Sequence, residues 1–282
     1  MKICVIGGAN LDITATSDAP FRSEDSNPGR VRTSFGGVGR NIAHNLSLLG
    51  HQVTFLTVFG DDIFGKSIAE SCKKLGMDIS ACQIAENAPN PCFASINDSD
   101  GRMIGGIADM DTTNLITPEW LEQRKAKIDE ADIVVAEANL QPETLAWLMD
   151  SCKAPLYLDA VSGPKAKRIA QAFEIAAHPH FHSIKYNRLE EHSLSHLQHH
   201  GRHFISLGKY GLKTQTQTFP AYPIAKEKIK NMTGAGDALF AGIIHKGPNA
   251  TIDEAAQFGL RCAALTLESP EAVNPELKTL SL

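Results

Sequence analysis

Short apolar runs closed by glycine alternate with longer amphipathic stretches along most of the chain. "ICVIGG" opens the pattern as a strand ended by two glycines. In "GVGRNIAHNLSLLG", Val38, Ile42, Leu46 and Leu49 recur at helical spacing and Gly50 supplies a C-cap. "QVTFLTVFG" predicts the next strand, and "DIFGKSIAESCKKLG" the next helix, closed at Gly76. The alternation resumes with "DIVVAEA" as a buried strand, "QPETLAWLMDSC" as a helix with Pro142 in its first turn, "PLYLDA" as a strand and "PKAKRIAQAFEIA" as a helix. "HSIKYN", "NRLEEHSLSHL" and "HFISLG" continue it, and a Thr251–Glu254 capping box opens a last helix. Strands alternating with helices of this length predict an α/β fold, a mainly parallel sheet covered on both faces.

Two segments break the rhythm. Residues 13–35 and 91–107 are polar and alternate like strands, with "DSDG" as a hairpin tip. Together they predict a small β-sheet lid inserted into a core made of residues 1–12, 36–90 and 108–282.

Composition narrows the function. The chain has 282 residues, 43% of them hydrophobic, enough for one large core with an insertion. The net charge of −5, with no basic block, disfavours nucleic acid as a partner. No apolar run is long enough to span a bilayer, and the start lacks a secretory h-region, so a cytoplasmic protein is expected. The six cysteines form no C-x-x-C pair and read as reduced core thiols. The histidine groups at 178–182 and 196–203 lack acidic or cysteine co-ligands and read as solvated or incidental rather than metal-binding.

Five stretches carry chemistry. In "TGAGDALFAG", Gly234, Ala235 and Gly236 leave backbone N–H groups open where a helix begins, which favours an anion. Asp237 follows at once, placed to take a proton from a hydroxyl nucleophile. Together they suggest phosphoryl transfer to an alcohol; a tight turn with an ordinary first-turn acid is the plainer alternative. In "GGANLD", Asn10 and Asp12 face one side of an extended backbone and suit vicinal hydroxyls, though a polar turn would look the same. "SFGGVGRNIAHN" allows close backbone approach at Gly36, Gly37 and Gly39, and points Asn41 toward a site, while Asn45 reads as a satisfied buried amide. It is not a dinucleotide fingerprint, and no P-loop occurs. Asn187 and Glu190, three apart on one helical face, suit water-mediated Mg²⁺. "SLGKYG" is a glycine turn after a strand.

In this order, "GGANLD", "GGVGRNIAHNLSLLG", "VFGDDIFG", "KYNRLE", "SLGKYG" and "TGAGDALFAG" resemble the ribokinase-like (PfkB) sugar-kinase family over essentially the whole chain. The resemblance implies a three-layer α/β core with a β-lid, ATP toward the C-terminal half and the sugar beneath the lid. It makes Asp237 the general base and Gly234, Ala235 and Gly236 the anion hole. Asn10, Asp12, Gly36, Gly37 and Asn41 fall at substrate positions. Lys185, Asn187, Gly208, Lys209 and Gly211 fall at nucleotide positions, and Glu190 holds Mg²⁺ through water. "IADMD", "LITPE", "KYNRLEE" and "AALTLESPEAVNP" are most similar to the pseudouridine-kinase branch, which implies a nucleoside 5′-hydroxyl as acceptor and gives Asp109 a role beside the base. Ribose, another nucleoside, a phosphosugar, or a catalytically silent nucleoside binder are the alternatives. The family's usual Asp-Thr before the anion turn is replaced by Asn231 and Met232, which leaves a K⁺ requirement open. A lid with an exposed face or edge also suits a homodimer.

Overall fold

The computed structural model describes residues 1–280. β1 (Lys2–Ile6) is apolar at nearly every position, as a strand buried on both faces must be. The chain then leaves the core in β2 (Asn10–Ser17) and β3 (Gly29–Gly36) and returns in α1 (Val38–Leu48). β4 (Gln52–Leu56), β5 (Val58–Gly60), α2 (Ile63–Lys74) and β6 (Gln83–Ala85) follow, then β7 (Cys92–Asn97) and β8 (Met103–Asp109). The second half contributes α3 (Pro118–Glu122), α4 (Lys125–Asp129), β9 (Ile133–Glu137), α5 (Pro142–Ser151), β10 (Leu156–Asp159), α6 (Gly163–Ile175), β11 (Ser183–Asn187), α7 (Arg188–Leu194) and β12 (Arg202–Ser206). β13 (Leu212–Lys213), β14 (Thr218–Phe219), α8 (Ala235–His245) and α9 (Ile252–Leu267) complete it.

The main sheet has eight strands in the order β14-β13-β12-β11-β10-β9-β1-β4, parallel except at the β13 and β14 edge. One face packs on α1, α2, α8 and α9 through Ile42, Leu46, Ile68, Phe240 and Ile244. The other packs on α5 and α6 through Leu145, Leu148 and Ile169. The expected α1 stripe is buried at Ile42, Leu46 and Leu49, Pro142 opens α5, and the Thr251–Glu254 capping box is present. β3-β2-β7-β8 form a separate four-stranded sheet rooted at Asn10, Gly36 and Asp109, a few residues inside the stretches assigned to the core.

Two expectations change. "QVTFLTVFG" is two strands. The Leu56 carbonyl accepts from Gly7 in the main sheet, whereas the Thr57 carbonyl accepts from Gln83, so the chain switches partners and β5 pairs with β6. Asn45 is fully buried, yet neither amide atom has a hydrogen-bond partner among the described residues. His203 is also buried, because β12 carries it into the core: Nε2 meets the Leu197 and His200 carbonyls, and Nδ1 meets the Tyr186 hydroxyl at 3.0 Å. Among the described residues no helix is long and apolar enough to cross a membrane.

Candidate active site

Parallel strands end together, so whatever terminates β1, β9, β10, β11 and β12 is brought to one edge of the sheet. The N-terminus of α8 meets that edge. Its N-cap, Gly234, adopts φ +82, and a Cβ there would lie 1.8 Å from the Ala272 carbonyl oxygen, so only glycine makes this turn. The Ala238 N–H bonds back to the Gly234 carbonyl, which leaves the preceding amides of Ala235, Gly236 and Asp237 without intrahelical partners. A helix start of this kind holds an anion.

Asp237 stands in the first turn of α8, 8% exposed, and its Oδ2 accepts from Asn41 Nδ2 at 2.8 Å. Burial pushes its carboxyl up to about 7; Lys185 opposes the rise, Asp159 adds to it, and the Asn41 hydrogen bond pulls it down. A carboxylate in this state is able to accept a proton near neutral pH. Lys185, within β11, makes a buried ion pair with Asp159, 2.9 Å away, at the end of β10. Burial alone would depress the Lys185 ammonium, but Asp159, Asp237 and Glu190 together raise it.

Asn187 and Glu190 do not share a helical face. Asn187 is the N-cap of α7, and the two form a capping box, because a polar residue at the strand end is also the first acceptor for the new helix. Glu190 Oε2 accepts from the Asn187 amide at 2.8 Å and Oε1 from its side chain at 2.6 Å; burial holds the carboxyl above its ordinary value.

Beyond α8, the turn with Gly208, Lys209 and Gly211 closes one side of a cavity of about 600 Å³. Tyr222, Ile224, Met232, Leu239, Leu260 and Ala264 supply its apolar wall, and Ala235 and Gly236 its floor. That volume and lining suit a planar, partly apolar ligand. Sequence reasoning missed the 220–232 side of the pocket, which lies outside any periodic element.

On the opposite side, Asn10 Nδ2 donates to Asp12 Oδ1 at 2.5 Å, and burial pushes the Asp12 carboxyl up to about 6. A Cβ at Gly36 would lie 2.0 Å from Asp12 Oδ2, and one at Gly37 2.4 Å from the Gly8 carbonyl oxygen. These contacts seat the start of α1, and with it Asn41, against the end of β1. Asp109 is not gathered in. It is exposed, and its register through Cys92 to Leu11 puts it on the face of the second sheet opposite Asp12.

Two acids in the site also went unread. Glu137 ends β9 and Asp159 ends β10, each fully buried or nearly so. Their signal was an acid closing an otherwise apolar strand, "IVVAE" and "LYLD". Asn231, in the place of the expected acid, donates to the Pro270 carbonyl and accepts from the Thr233 amide, tying down the approach to the anion turn.

The family model described as pfkB family carbohydrate kinase matches residues 1–280. A pseudouridine kinase of Escherichia coli (strain K12) is 31% identical, covering 98% of this chain and 93% of its own. A guanosine-inosine kinase of Exiguobacterium acetylicum is 26% identical, covering 96% and 95%. Among solved structures, Arabidopsis thaliana ribokinase complexed with ribose and ATP superposes with a TM-score of 0.80 over 99% of this chain and 97% of that one, at 18% identity. The ribokinase-like architecture is therefore established.

Proposed function

This chain belongs to the pfkB family of carbohydrate kinases and is an ATP-dependent sugar or nucleoside kinase, and from that premise we propose that it phosphorylates the 5′-hydroxyl of a nucleoside, with pseudouridine the preferred acceptor. One observation carries the mechanism. The amides at the start of α8 form the floor of the 600 Å³ cavity, and the buried Asp237 stands on the same helical turn. A nucleotide seated in the cavity would direct its phosphates onto the Ala235 and Gly236 amides. An acceptor hydroxyl beside Asp237 would then face the γ-phosphorus.

Asp237 takes the hydroxyl proton as the new O–P bond forms. The bond from the γ-phosphorus to the bridging oxygen breaks, and ADP leaves with the electron pair. The helix amides and Lys185 offset the charge that moves. The Glu190 carboxylate is a hard oxygen donor that would hold Mg²⁺ through water; the ion would supply positive charge against the phosphates of ATP. Asn10, Asp12, Asn41 and the Gly36–Gly37 backbone would hold the sugar hydroxyls, and the four-stranded sheet would close over it as a lid. The free cysteines fit a reducing cytoplasm.

The base is the finer question. Pseudouridine is favoured by the "IADMD" and "LITPE" stretches and by the nature of the 31% identical relative. The guanosine-inosine kinase keeps a purine nucleoside as the second reading. Competition for ATP turnover among pseudouridine, uridine, inosine, guanosine, ribose and fructose 6-phosphate decides between them. Pseudouridine should win; dominance of ribose or fructose 6-phosphate would refute the nucleoside assignment.

Because Asp237 must be ionised to act and its carboxyl stands near pH 7, kcat/KM is expected to rise with pH through about 7. A profile flat from pH 5 to 8 would remove Asp237 from this role.

The lid offers a second copy of this chain an apolar face. Strand register puts Ile13, Ala15, Val31, Ala94, Ile96 and Ile107 on one side, with Ile107 75% and Val31 69% exposed. A two-fold pairing would bury this face against itself. Ile107→Lys is expected to convert a dimer to monomer in sedimentation; a wild-type protein that sediments as a monomer at micromolar concentration would end the idea.

A further inference from the structure

A second polar cluster lies past the catalytic one along the same sheet edge. Glu137 Oε1 accepts from the Gly8 amide at 2.7 Å and Oε2 from the Asn139 amide at 2.6 Å, so this buried carboxylate fixes the turn after β9. The turn aims the Asn139 side chain at Gly8: a Cβ on Gly8 would meet Asn139 Nδ2 and Thr113 Oγ1, each at 3.7 Å. Lys165, from the first turn of α6, donates to Asn139 Oδ1. Its ammonium has no carboxylate within ion-pair distance among the described residues, although it feels the Glu137 charge.

Two features separate this cluster from a merely structural one. Asn139 gives its acceptor to Lys165 and shares its NH₂ with Glu137, so what remains on offer is mainly donors: the second Asn139 N–H and the remaining Lys165 protons, beside a Thr113 hydroxyl that can donate or accept. Its position is also set by the strand order. Lys185 and Asp159 put β11 and the end of β10 beside Asp237, and the cluster follows at β9 and β1, the next strands at spacings of about 4.8 Å, near enough for the Glu137 charge to reach Asp237. A spacing of that size is about the breadth of a pentose ring, measured from the hydroxyl that receives phosphate.

Resting on the nucleoside-kinase assignment above, we propose that Asn139 and Lys165 form a subsite for the group on the sugar's anomeric carbon, selecting a base that presents ring carbonyl oxygens. A donor set rejects a base that presents an amino group there, because buried donors would face donors.

The test compares wild type with Lys165→Met on pseudouridine and on ribose, the latter read as substrate or, where its turnover is below detection, as a competitor of pseudouridine. Loss of a charged hydrogen bond should lower kcat/KM for pseudouridine about 10-fold or more, with the ribose constant changed by no more than about twofold. Asn139→Ala should reproduce this selective loss if Lys165→Met fails to fold. Equal losses on both substrates would mean that Lys165 only steadies Glu137, and would overturn the subsite, as would no loss on either. A wild-type enzyme inactive on every nucleoside would overturn the underlying assignment, visible before any variant is made.

Discussion

Asp237→Asn is expected to lower kcat by about 10²-fold or more, with nucleoside affinity retained. The amide keeps the shape of the side chain and can still meet Asn41, but it accepts no proton. The same substitution carries a thermodynamic signature. In the folded protein the carboxyl is raised from 3.8 to about 7, so the folded state holds its proton more tightly than the unfolded chain. Stability contributed by this group is therefore present below pH 3.8 and lost as pH rises through 7. Asp237→Asn removes that loss: its melting temperature should exceed that of wild type at pH 8, with the advantage shrinking toward pH 4. A variant both slower and less stable at pH 8 would indicate disruption of α8, not removal of a base. A variant as fast as wild type would end the mechanism.

Gly234→Ala should be nearly as damaging to turnover for a different reason. The added methyl group falls 1.8 Å from the Ala272 carbonyl oxygen, and φ +82 is a conformation that alanine rarely adopts. The turn must shift, and the amides of Ala235 and Gly236 move with it. Misplacing one such donor costs about 10² to 10³ in kcat, and the backbone strain adds about 1–3 kcal/mol of destabilisation. Turnover per folded molecule, measured below the melting transition, separates the two effects. If stability falls but kcat per folded molecule is unchanged, the turn serves only to start the helix.

How much of this was legible follows from which physical signals are local. Buried strands and amphipathic helices write their period into the chain, so β1, α1, α2 and β9 through β12 could be read directly. Gly234 and Asp237 were legible because a helix start that holds an anion needs small residues in sequence. Glu137 and Asp159 were passed over because an acid after an apolar run looks like ordinary strand termination; only the parallel sheet brings both to the edge shared with Asp237. Asn187 and Glu190 were found, but spacing alone could not tell a shared helical face from a capping box. The β4–β5 break was invisible because it is set by which backbone amides donate to the Leu56 and Thr57 carbonyls, and the face on which Asp109 lies could not be read because it depends on the β7–β8 register.

The proposed reaction transfers phosphate from ATP to the 5′-oxygen of pseudouridine. Its most direct test is the product itself: phosphorus NMR of a reaction with ATP, Mg²⁺ and pseudouridine, with phosphorus–proton coupling used to locate the new ester. A single ester coupled to the 5′ methylene protons, formed in equal amount with ADP, is the predicted result. An ester at the 2′ or 3′ oxygen, or ADP accumulating with inorganic phosphate and no ester, would contradict it.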